Sequence, residues 1–310
     1  MEKIIYLLSL AFVCSYAGTI DQTDNSLSGR ILNGQHATHQ QFNYTVSIQR
    51  LSEISTHGFG HKCGGALITY QHVLTAATCT YSISFNGDIL TINPSEFRVF
   101  AGSVFLSNAT SDRIRLITNY FVHPEHIIAP SHVNDIAILN LTLPFALSVV
   151  TPLPLPSGNF SPSDFTRCTV AGWGAWTTGS TTPSEQLRFS NTYIYNQDEC
   201  RGLVHNAQNL GNLLPTMICA AHFNVLAKTC LGDKGNPLVC GGTLTGISFL
   251  PTDCLTSTNI TPVLPEVYTR VSNYTTWIRS ITSSAPTVRL GLYALLLLSL
   301  FHGLFLKIVN

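Results

Sequence analysis

The sequence predicts an all-β fold, either a barrel or a sandwich of many short strands. Between Phe42 and Pro265, short runs rich in β-branched and aromatic residues alternate apolar and polar positions, and Gly, Pro and Asn separate these runs. Examples are residues 44–48 (YTVSI), 97–100 (FRVF) and 267–271 (VYTRV). Many short strands without an internal repeat are typical of barrels and sandwiches.

One helical pattern occurs near the end of this region. From Tyr274 to Ile281, spacing at helical period brings Trp277, Ile278 and Ile281 to one side. We therefore expect a single C-terminal helix after the strands.

Composition limits the functional classes. The 310 residues are 45% hydrophobic, enough for one large β domain or two small ones. Only 10% are charged, against roughly 25% in an average soluble domain. The formal net charge is zero, so electrostatics do not favour a nucleic-acid partner.

The N-terminus indicates secretion. Lys3 precedes an apolar run over residues 4–13, and small residues follow at Ser15, Ala17 and Gly18. This is the pattern of a secretory signal peptide, predicted over residues 1–17. Glycosylation is then expected at the Asn-x-Ser/Thr sequons, which begin at Asn43, Asn108, Asn140, Asn159, Asn259 and Asn273.

Removal of the signal peptide takes away Cys14 and leaves an even number of cysteines. They are Cys63, Cys79, Cys168, Cys200, Cys219, Cys230, Cys240 and Cys254. In a secreted chain this indicates a disulfide framework, although counting does not choose the pairing. A metal site is the alternative, but no CxxC pair or Cys/His cluster has zinc-ligand spacing. No metal and no cofactor are expected.

The C-terminal segment, residues 283–310, predicts membrane attachment. Residues 290–306 are apolar except for Ser299, His302 and Gly303, and only four residues follow them. Small residues around Ser280 to Ala285, a short spacer and an apolar tail resemble a glycolipid-anchor signal. A transmembrane helix is the alternative, because about 17 apolar residues are just enough to span a bilayer.

Ordered motifs place residues 31–282 close to a known family. They are CGGALI (63–68), LTAATC (74–79), NDIAIL (134–139), VAGWG (170–174), MICA (217–220), GDKGNP (232–237) and PEVYTRV (265–271). This series resembles the chymotrypsin- and trypsin-like serine proteases. The resemblance implies two six-stranded antiparallel β-barrels with a C-terminal helix. It also implies the disulfides Cys63–Cys79, Cys168–Cys240, Cys200–Cys219 and Cys230–Cys254.

The resemblance also assigns an activation site. Residues 18–30 are polar and lack apolar periodicity, so we interpret them as a disordered propeptide. The segment GRILNG (29–34) is similar to the site at which trypsin-like zymogens are cut. Cleavage would release the amine of Ile31 after Arg30, and the family pairs that amine with the residue matching Asp233. The residues of the switch are therefore all present in the sequence, and a shape that responds to cleavage is expected.

Two of the three catalytic positions of the family are changed. Thr78 replaces the histidine, Lys234 replaces the serine, and Asp135 matches the carboxylate. A neutral hydroxyl is a poor proton acceptor near pH 7, and an amine attacking a peptide would leave a stable amide. His72, six positions before Thr78, is a weak substitute for the base. The amides of Gly232 and Lys234 match the oxyanion hole and are the part of the machinery expected to remain.

Asp135 is expected to lie buried, with Thr78 and Ser248 as hydrogen-bond donors. For Lys234 two interpretations stay open: its ammonium approaches Asp135, or it reaches into solvent.

The specificity pocket also departs from the family. Lys228 matches its floor, Ser248 lies beside it, and Leu250 and Glu266 match wall positions that are usually glycine. Large walls would fill the pocket, with an ion pair between Lys228 and Glu266. The alternative is a pocket with altered specificity for acidic substrates.

The sequence thus predicts an inactive extracellular protease homologue, a pseudoprotease that acts as a monomer by binding a protein such as an active protease or a protease inhibitor. The alternatives are a serine-type endopeptidase with atypical machinery and a structural surface glycoprotein.

Overall fold

The computed structural model describes residues 34–56, 58–128, 132–177, 180–207, 212–222, 229–230, 232–249 and 264–283. The predicted signal peptide, propeptide and C-terminal tail lie outside these residues, as do Ile31, Lys228, Leu250, Cys254 and Asn259. Within the described residues, no helix is long and apolar enough to cross a membrane.

Six antiparallel strands close into a first barrel. They are β2 (Thr45–Arg50), β3 (His61–Leu67), β4 (His72–Thr75), β7 (Phe97–Phe100), β8 (Ile114–Val122) and β9 (Ala137–Leu141). Around the barrel the order is β2-β3-β4-β9-β8-β7. Closure leaves no free sheet edge, and Val46, Leu74 and Ile138 are wholly buried inside.

Six further strands form the second barrel. They are β10 (Arg167–Gly172), β11 (Arg188–Ile194), β12 (Met217–Ala221), β13 (Pro237–Cys240), β14 (Thr243–Ser248) and β15 (Glu266–Arg270). They run in the order β11-β10-β13-β14-β15-β12, and pairing of β11 with β12 closes the ring. A short strand β1 (Gln35–His36) adds to the outside of β11. The predicted fold of two six-stranded barrels is confirmed.

The C-terminal helix is confirmed as α2 (Thr275–Thr282), with Ile278 buried and Trp277 and Ile281 packed against the core. A second helix, α1 (Gln197–Ala207), was missed by the sequence analysis. Its start was marked in the sequence, because Asn196 Oδ1 accepts hydrogen bonds from the N–H groups of Asp198 and Glu199. An asparagine cap followed by acidic residues is a standard helix start.

A two-stranded hairpin, β5 (Tyr81–Ile83) and β6 (Ile89–Thr91), was also not predicted. It follows the short helical turn Ala77–Cys79 that carries Thr78. Its large apolar residues face outward: Phe85 is fully exposed, and Ile83, Ile89 and Leu90 are each more than half exposed.

Three of the four predicted disulfides are present, with S–S distances of 2.00–2.03 Å: Cys63–Cys79, Cys168–Cys240 and Cys200–Cys219. Cys230 is disulfide-bonded as well, and its predicted partner Cys254 lies outside the described residues. The bridges tie the turn at Thr78 to β3 and β10 to β13, next to the site.

Candidate functional site

The two barrels bring together the three residues that the sequence predicted at the triad positions. Thr78 follows β4 of the first barrel, and Asp135 lies just before β9, which pairs with β4. Lys234 belongs to the loop before β13 of the second barrel. Its carbonyl accepts a hydrogen bond of 2.7 Å from the N–H of Gly64 in β3, which holds the loop against the first barrel.

Asp135 is wholly buried and has one hydrogen-bond donor to its carboxyl group. That donor is the backbone N–H of Thr78, 2.8 Å from Oδ1. Among the described residues, neither Asp135 Oδ2 nor Thr78 Oγ1 has a hydrogen-bond partner by distance and angle. Among the described residues, the geometry therefore supports neither expected donation, from the Thr78 hydroxyl or from Ser248, although the Thr78 hydroxyl lies close enough to lower the pKa of Asp135.

The environment of Asp135 disfavours its charge. Burial raises the pKa of Asp135, while the Thr78 N–H, the positive charge of His126, the nearby Thr78 hydroxyl and the charge of Lys234 oppose this rise. The net direction is upward. A carboxyl group in this setting holds its proton more tightly than an exposed one.

Lys234 does not form an ion pair with Asp135. The three ion pairs between described residues involve other side chains, and Lys234 is half-buried. Its charge still acts on the site, since it lowers the pKa of Asp135 and of His132. Of the two expectations for Lys234, close contact with the carboxylate is not observed.

His72 is not a substitute for the missing histidine. It lies at the opposite end of β4 from Thr78, and its Nδ1 is 2.8 Å from the hydroxyl of Thr69 in the β3–β4 turn. In register, His72 pairs with Asn140, whereas Thr75 pairs with Ala137 beside Asp135.

Two other histidines near Asp135 were missed. His126 bonds the Val133 carbonyl through Nδ1 at 3.0 Å and meets the Tyr81 hydroxyl at Nε2, 3.1 Å away. The ring of His132 packs on Phe249 at 6.0 Å between centroids. Burial is the main cause of a lowered pKa at His132. Their position in the segment that precedes Asp135 was the available signal.

Asp233 differs from Asp135 in being fully hydrogen-bonded. Its Oδ1 accepts from the N–H of Gly174 at 3.0 Å and from Nδ2 of Asn236 at 2.6 Å, and its Oδ2 accepts from the N–H of Cys230 at 2.8 Å. Burial raises the pKa of Asp233 to about 7, the negative charge of Glu266 adds to this rise, and the three N–H donors oppose it. The role of Asn236 was not predicted.

The backbone of the Asp233 loop is tied to a buried histidine. The Gly232 carbonyl accepts from His61 Nε2 at 2.9 Å, so Nδ1 of that ring accepts from the Ser47 hydroxyl at 2.7 Å. Burial lowers the pKa of His61 to about 4, which keeps the ring neutral near pH 7. A neutral ring fits this arrangement, in which one nitrogen donates and the other accepts.

Glu266 occupies a buried position with its carboxylate satisfied. Oε1 accepts from the N–H of Thr229, and Oε2 accepts from the Tyr268 hydroxyl at 2.7 Å. Burial, with the adjacent Glu266 charge second, raises the pKa of Tyr268 well above its usual value. Glu266 is thus a fixed internal residue. The predicted ion pair with Lys228, and the wall role of Leu250, concern residues outside those described and stay predictions.

Ser248 acts through its backbone. Its carbonyl accepts from Gly235 N–H at 2.6 Å, and its N–H donates to the Asn236 carbonyl at 3.0 Å. The residue is buried. It therefore anchors the loop that carries Lys234, instead of supporting Asp135.

The sequons differ in accessibility. Asn108, Asn159 and Asn273 are exposed, which suits glycan attachment. Asn43 and Asn140 are half-buried, and the Oδ1 of Asn140 lies buried in β9. Occupancy of each stays a prediction. Among the residues with described positions, no group of three or more His, Cys, Asp or Glu could hold a metal ion.

Comparison with known proteins gives a consistent result. A family model described as Trypsin matches residues 31–278. Trypsin alpha of Drosophila melanogaster is 31% identical over 287 residues, 92% of this chain and all of that protein. Renal glandular kallikrein of Mastomys natalensis is 28% identical over 288 residues, covering 89% of this chain and 98% of that protein.

Solved structures show the same likeness. A human heparin binding protein superposes with a TM-score of 0.62 and 28% identity, covering 81% of this chain and 96% of that one. Neuropsin, a serine protease expressed in mouse brain, superposes with a TM-score of 0.64 and 27% identity, covering 80% of this chain and 98% of that one.

Proposed function

The chain belongs to the trypsin family, and we propose that it is a non-catalytic member that acts outside the cell by binding a protein partner. The observation that carries the proposal is the state of Asp135. Its second oxygen has no partner among the described residues, and the Thr78 hydroxyl at the position expected for the imidazole lies near the carboxyl group without the distance and angle of a hydrogen bond to it. Peptide hydrolysis by this fold needs a base held by that carboxylate and a hydroxyl nucleophile.

The loop that carries Lys234 supports the same conclusion. Lys234 has no hydroxyl to attack a carbonyl, and a lysine nucleophile would end as a stable amide. The hydrogen-bond partners of His126 are the Val133 carbonyl and the Tyr81 hydroxyl, so its ring is not paired with the side chain at position 78 or 234. Removing either the serine or the histidine from such a triad abolishes most of the rate, and both are replaced here.

The hairpin beside the site supports a role in binding. Phe85 at its tip is fully exposed, and Ile83, Ile89 and Leu90 add further exposed apolar surface. Exposed apolar clusters on a secreted domain often mark protein interfaces. The hairpin starts two residues after the Cys63–Cys79 bridge, so a rigid base presents it.

Heparin is not the partner we propose. One structural relative is named for binding heparin, a polyanion. This chain has 16 basic and 16 acidic residues and a formal net charge of zero. The composition therefore gives no overall excess of Lys and Arg to favour a polyanion.

Attachment to the cell surface through residues 283–310 is a further part of the proposal. A glycolipid anchor predicts release of the protein from cells by phosphatidylinositol-specific phospholipase C. Retention after this treatment, with the intact tail found by mass spectrometry, would indicate a transmembrane helix instead.

The test of lost catalysis uses the full chain cut after Arg30. We expect no labelling of residue 234 by a fluorophosphonate probe and no turnover of ester substrates above background. Turnover that disappears in the His132→Gln or His126→Gln variant would contradict the proposal, since it would show a working base. That outcome would favour a serine-type endopeptidase with atypical machinery.

The test of binding compares the full chain with a Phe85→Ser, Ile89→Thr variant of the hairpin. Both immobilised proteins are exposed to extracellular fluid of the source tissue, and bound proteins are identified by mass spectrometry. A protein captured by the unchanged chain and lost with the variant supports the proposal. Identical capture by the two would remove the hairpin as its support and favour a structural surface glycoprotein.

A further inference from the structure

Asn236 occupies a space that the surrounding backbone keeps open for it. The residue is wholly buried, and its side chain lies against two glycines. A Cβ on Gly64 would overlap Asn236 Oδ1, and a Cβ on Gly172 would overlap Nδ2. The amide is therefore enclosed between β3 of the first barrel and β10 of the second.

The orientation of this amide is set by Asp233. Nδ2 of Asn236 donates to Asp233 Oδ1 at 2.6 Å, the shortest of the three hydrogen bonds to that carboxylate. A carboxylate oxygen only accepts when ionised, so the nitrogen must face it. Asn236 Oδ1 has no hydrogen-bond partner among the described residues, which leaves Asp233 as the reason for the side chain's position.

The donors to Asp233 are supplied by the folded core. Two are backbone N–H groups, of Gly174 and Cys230, and the third is the Asn236 side chain. A buried carboxylate is costly unless it is paired or hydrogen-bonded. These three bonds satisfy both oxygens without any residue that precedes position 34.

The loop around Asp233 is also held by both barrels. Gly64 N–H donates to the Lys234 carbonyl at 2.7 Å, and Gly235 N–H donates to the Ser248 carbonyl at 2.6 Å. Gly235 adopts φ of +83°, where a side chain would be strained and would overlap the Gly64 carbonyl. The loop shape is thus specified by contacts inside the described domain.

We propose that the Asn236 amide serves as a built-in partner for Asp233 in place of the N-terminal amine, so that the loop of residues 232–236 holds its shape whether or not the chain is cut after Arg30. This inference replaces the expectation of a cleavage-responsive shape. It concerns the conformation of the loop alone, and holds or fails independently of whether the protein is catalytic.

The experiment compares cut and uncut protein. In the full chain, residues 26–30 are replaced by Asp-Asp-Asp-Asp-Lys, so that enteropeptidase leaves Ile31 as the new N-terminus. Thermal unfolding and hydrogen exchange of the amides of residues 232–236 are measured before and after cutting. The same pair of measurements is made for Asn236→Gly, which removes the amide and no backbone donor.

For the unchanged residue 236, we expect cutting to change Tm by less than about 2 °C and amide exchange by less than about twofold. In Asn236→Gly, Asp233 loses a donor, so the uncut protein should unfold about 5 °C lower. Cutting should restore that loss, because the new amine can then pair with Asp233. Exchange in the loop of the uncut variant should be at least about tenfold faster.

Ile194→Val serves as the matched control. Ile194 is buried in β11 of the second barrel, so the change lowers Tm without touching Asp233. We expect cutting to have no more effect on this variant than on the parent. If cutting raised the Tm of Ile194→Val as much as that of Asn236→Gly, the effect would be a general property of destabilised variants, and this result would count against the proposal.

The parent protein alone can overturn the proposal. If cutting raises its Tm by about 5 °C or more, or slows exchange of the loop amides about tenfold, the N-terminal amine is needed despite Asn236. Since this comparison uses no variant at residue 236, it decides the question even if Asn236→Gly fails to fold.

Discussion

Two buried carboxylates face different circumstances on either side of the site. Asp135, of the first barrel, receives one hydrogen bond, from the Thr78 backbone, and its second oxygen has no partner among the described residues. Asp233, of the second barrel, receives three hydrogen bonds, and the Asn236 side chain supplies one of them. Burial raises the pKa of both.

The difference between the two residues lies in how many hydrogen-bond donors the fold supplies to each buried carboxyl group. Asp135 is supported by a single backbone donor, and the side chain at position 78 leaves its second oxygen without a partner among the described residues. Asp233 holds the loop that joins the two barrels, and that loop has kept a full set of donors.

The largest effect should come from giving Asp135 its missing partners. We expect the Thr78→His, Lys234→Ser variant to cleave small activated esters weakly and peptides hardly at all. The reason is our prediction that Glu266, held in place by Thr229 and Tyr268, fills the pocket that would otherwise position a substrate side chain. Adding Leu250→Gly and Glu266→Gly should raise kcat/KM for peptides by about 10²-fold or more, measured with fluorogenic peptides.

Efficient peptide cleavage by the double variant alone would contradict this account. It would mean that Leu250 and Glu266 leave the pocket open, and that the replaced residues 78 and 234 are the whole defect. The Leu250→Gly, Glu266→Gly variant with Thr78 and Lys234 unchanged is the control, and it should be inactive.

The next largest effect should be a difference in protein stability between variants that remove one carboxylate or the other. Asp233→Ala removes the acceptor of three N–H groups, and we expect it to lower the free energy of unfolding by about 3 kcal/mol. Asp135→Ala deletes the same atoms but leaves one N–H without an acceptor, so a loss of about 1 kcal/mol or less is expected. Urea unfolding of both variants measures the difference. Equal losses would show that the cavity, and not hydrogen bonding, sets the cost.

Repeated local signals predicted an all-β chain of short strands and the C-terminal helix, and the resemblance of the ordered motifs to a known family implied the two six-stranded barrels. Alternating apolar positions define strands, and ordered motifs around Cys63, Trp173 and Cys219 define their sequence along the chain. Residues 78, 135 and 234 could be matched to the family's triad positions from the sequence, because each lies inside one of the motifs. The sequence alone was enough to predict features that depend on the local backbone, such as strands, the C-terminal helix and the positions of the motifs.

The rest depended on contacts between distant segments. Asn236 lies in the same motif as Lys234, but only Lys234 was considered there. The contact between Asn236 and Asp233 could not be predicted, because it depends on the space that Gly64 and Gly172 leave for the amide in the folded chain. The Thr78 hydroxyl was expected to reach Asp135, and only the turn geometry shows that the backbone N–H does so instead. The missed helix α1 was a different failure, because its cap at Asn196 was visible in the sequence.

A smaller effect should appear in the pH dependence of stability. A carboxyl group with a raised pKa binds its proton more tightly in the folded state, so its contribution is present below the ordinary pKa and is lost as pH rises through the folded pKa. For Asp233 that window runs from 3.8 to about 7. Asp135 has the same sign. His61, with a pKa lowered to about 4, has the opposite sign, so a matched variant is needed.

We therefore expect Asp135→Asn to stabilise the protein at pH 8 by about 1 kcal/mol, a rise in Tm of about 2–4 °C, and to have no such effect at pH 4. The amide oxygen can still accept from the Thr78 N–H, and an uncharged NH2 group takes the place of the second carboxyl oxygen. Calorimetry of the parent and the variant between pH 4 and 8 gives the comparison. A constant difference across this range would show that the Asp135 charge is not the cause.

The smallest effect tests the Thr78 hydroxyl itself. Thr78→Val keeps the shape of the side chain and the backbone N–H that bonds to Asp135, and the hydroxyl it removes has no hydrogen-bond partner among the described residues. We expect a change in unfolding free energy within about 0.5 kcal/mol of zero.

Thr75→Val, three residues earlier, is the matched control, because Thr75 Oγ1 is buried and donates to the Gly64 carbonyl at 2.8 Å. That change should cost about 1 kcal/mol or more, since it leaves a buried carbonyl without its donor. A loss at Thr78 as large as the loss at Thr75 would mean that the Thr78 hydroxyl does donate to Asp135 in solution. The two carboxylates would then be more alike than their hydrogen bonds in the structure indicate.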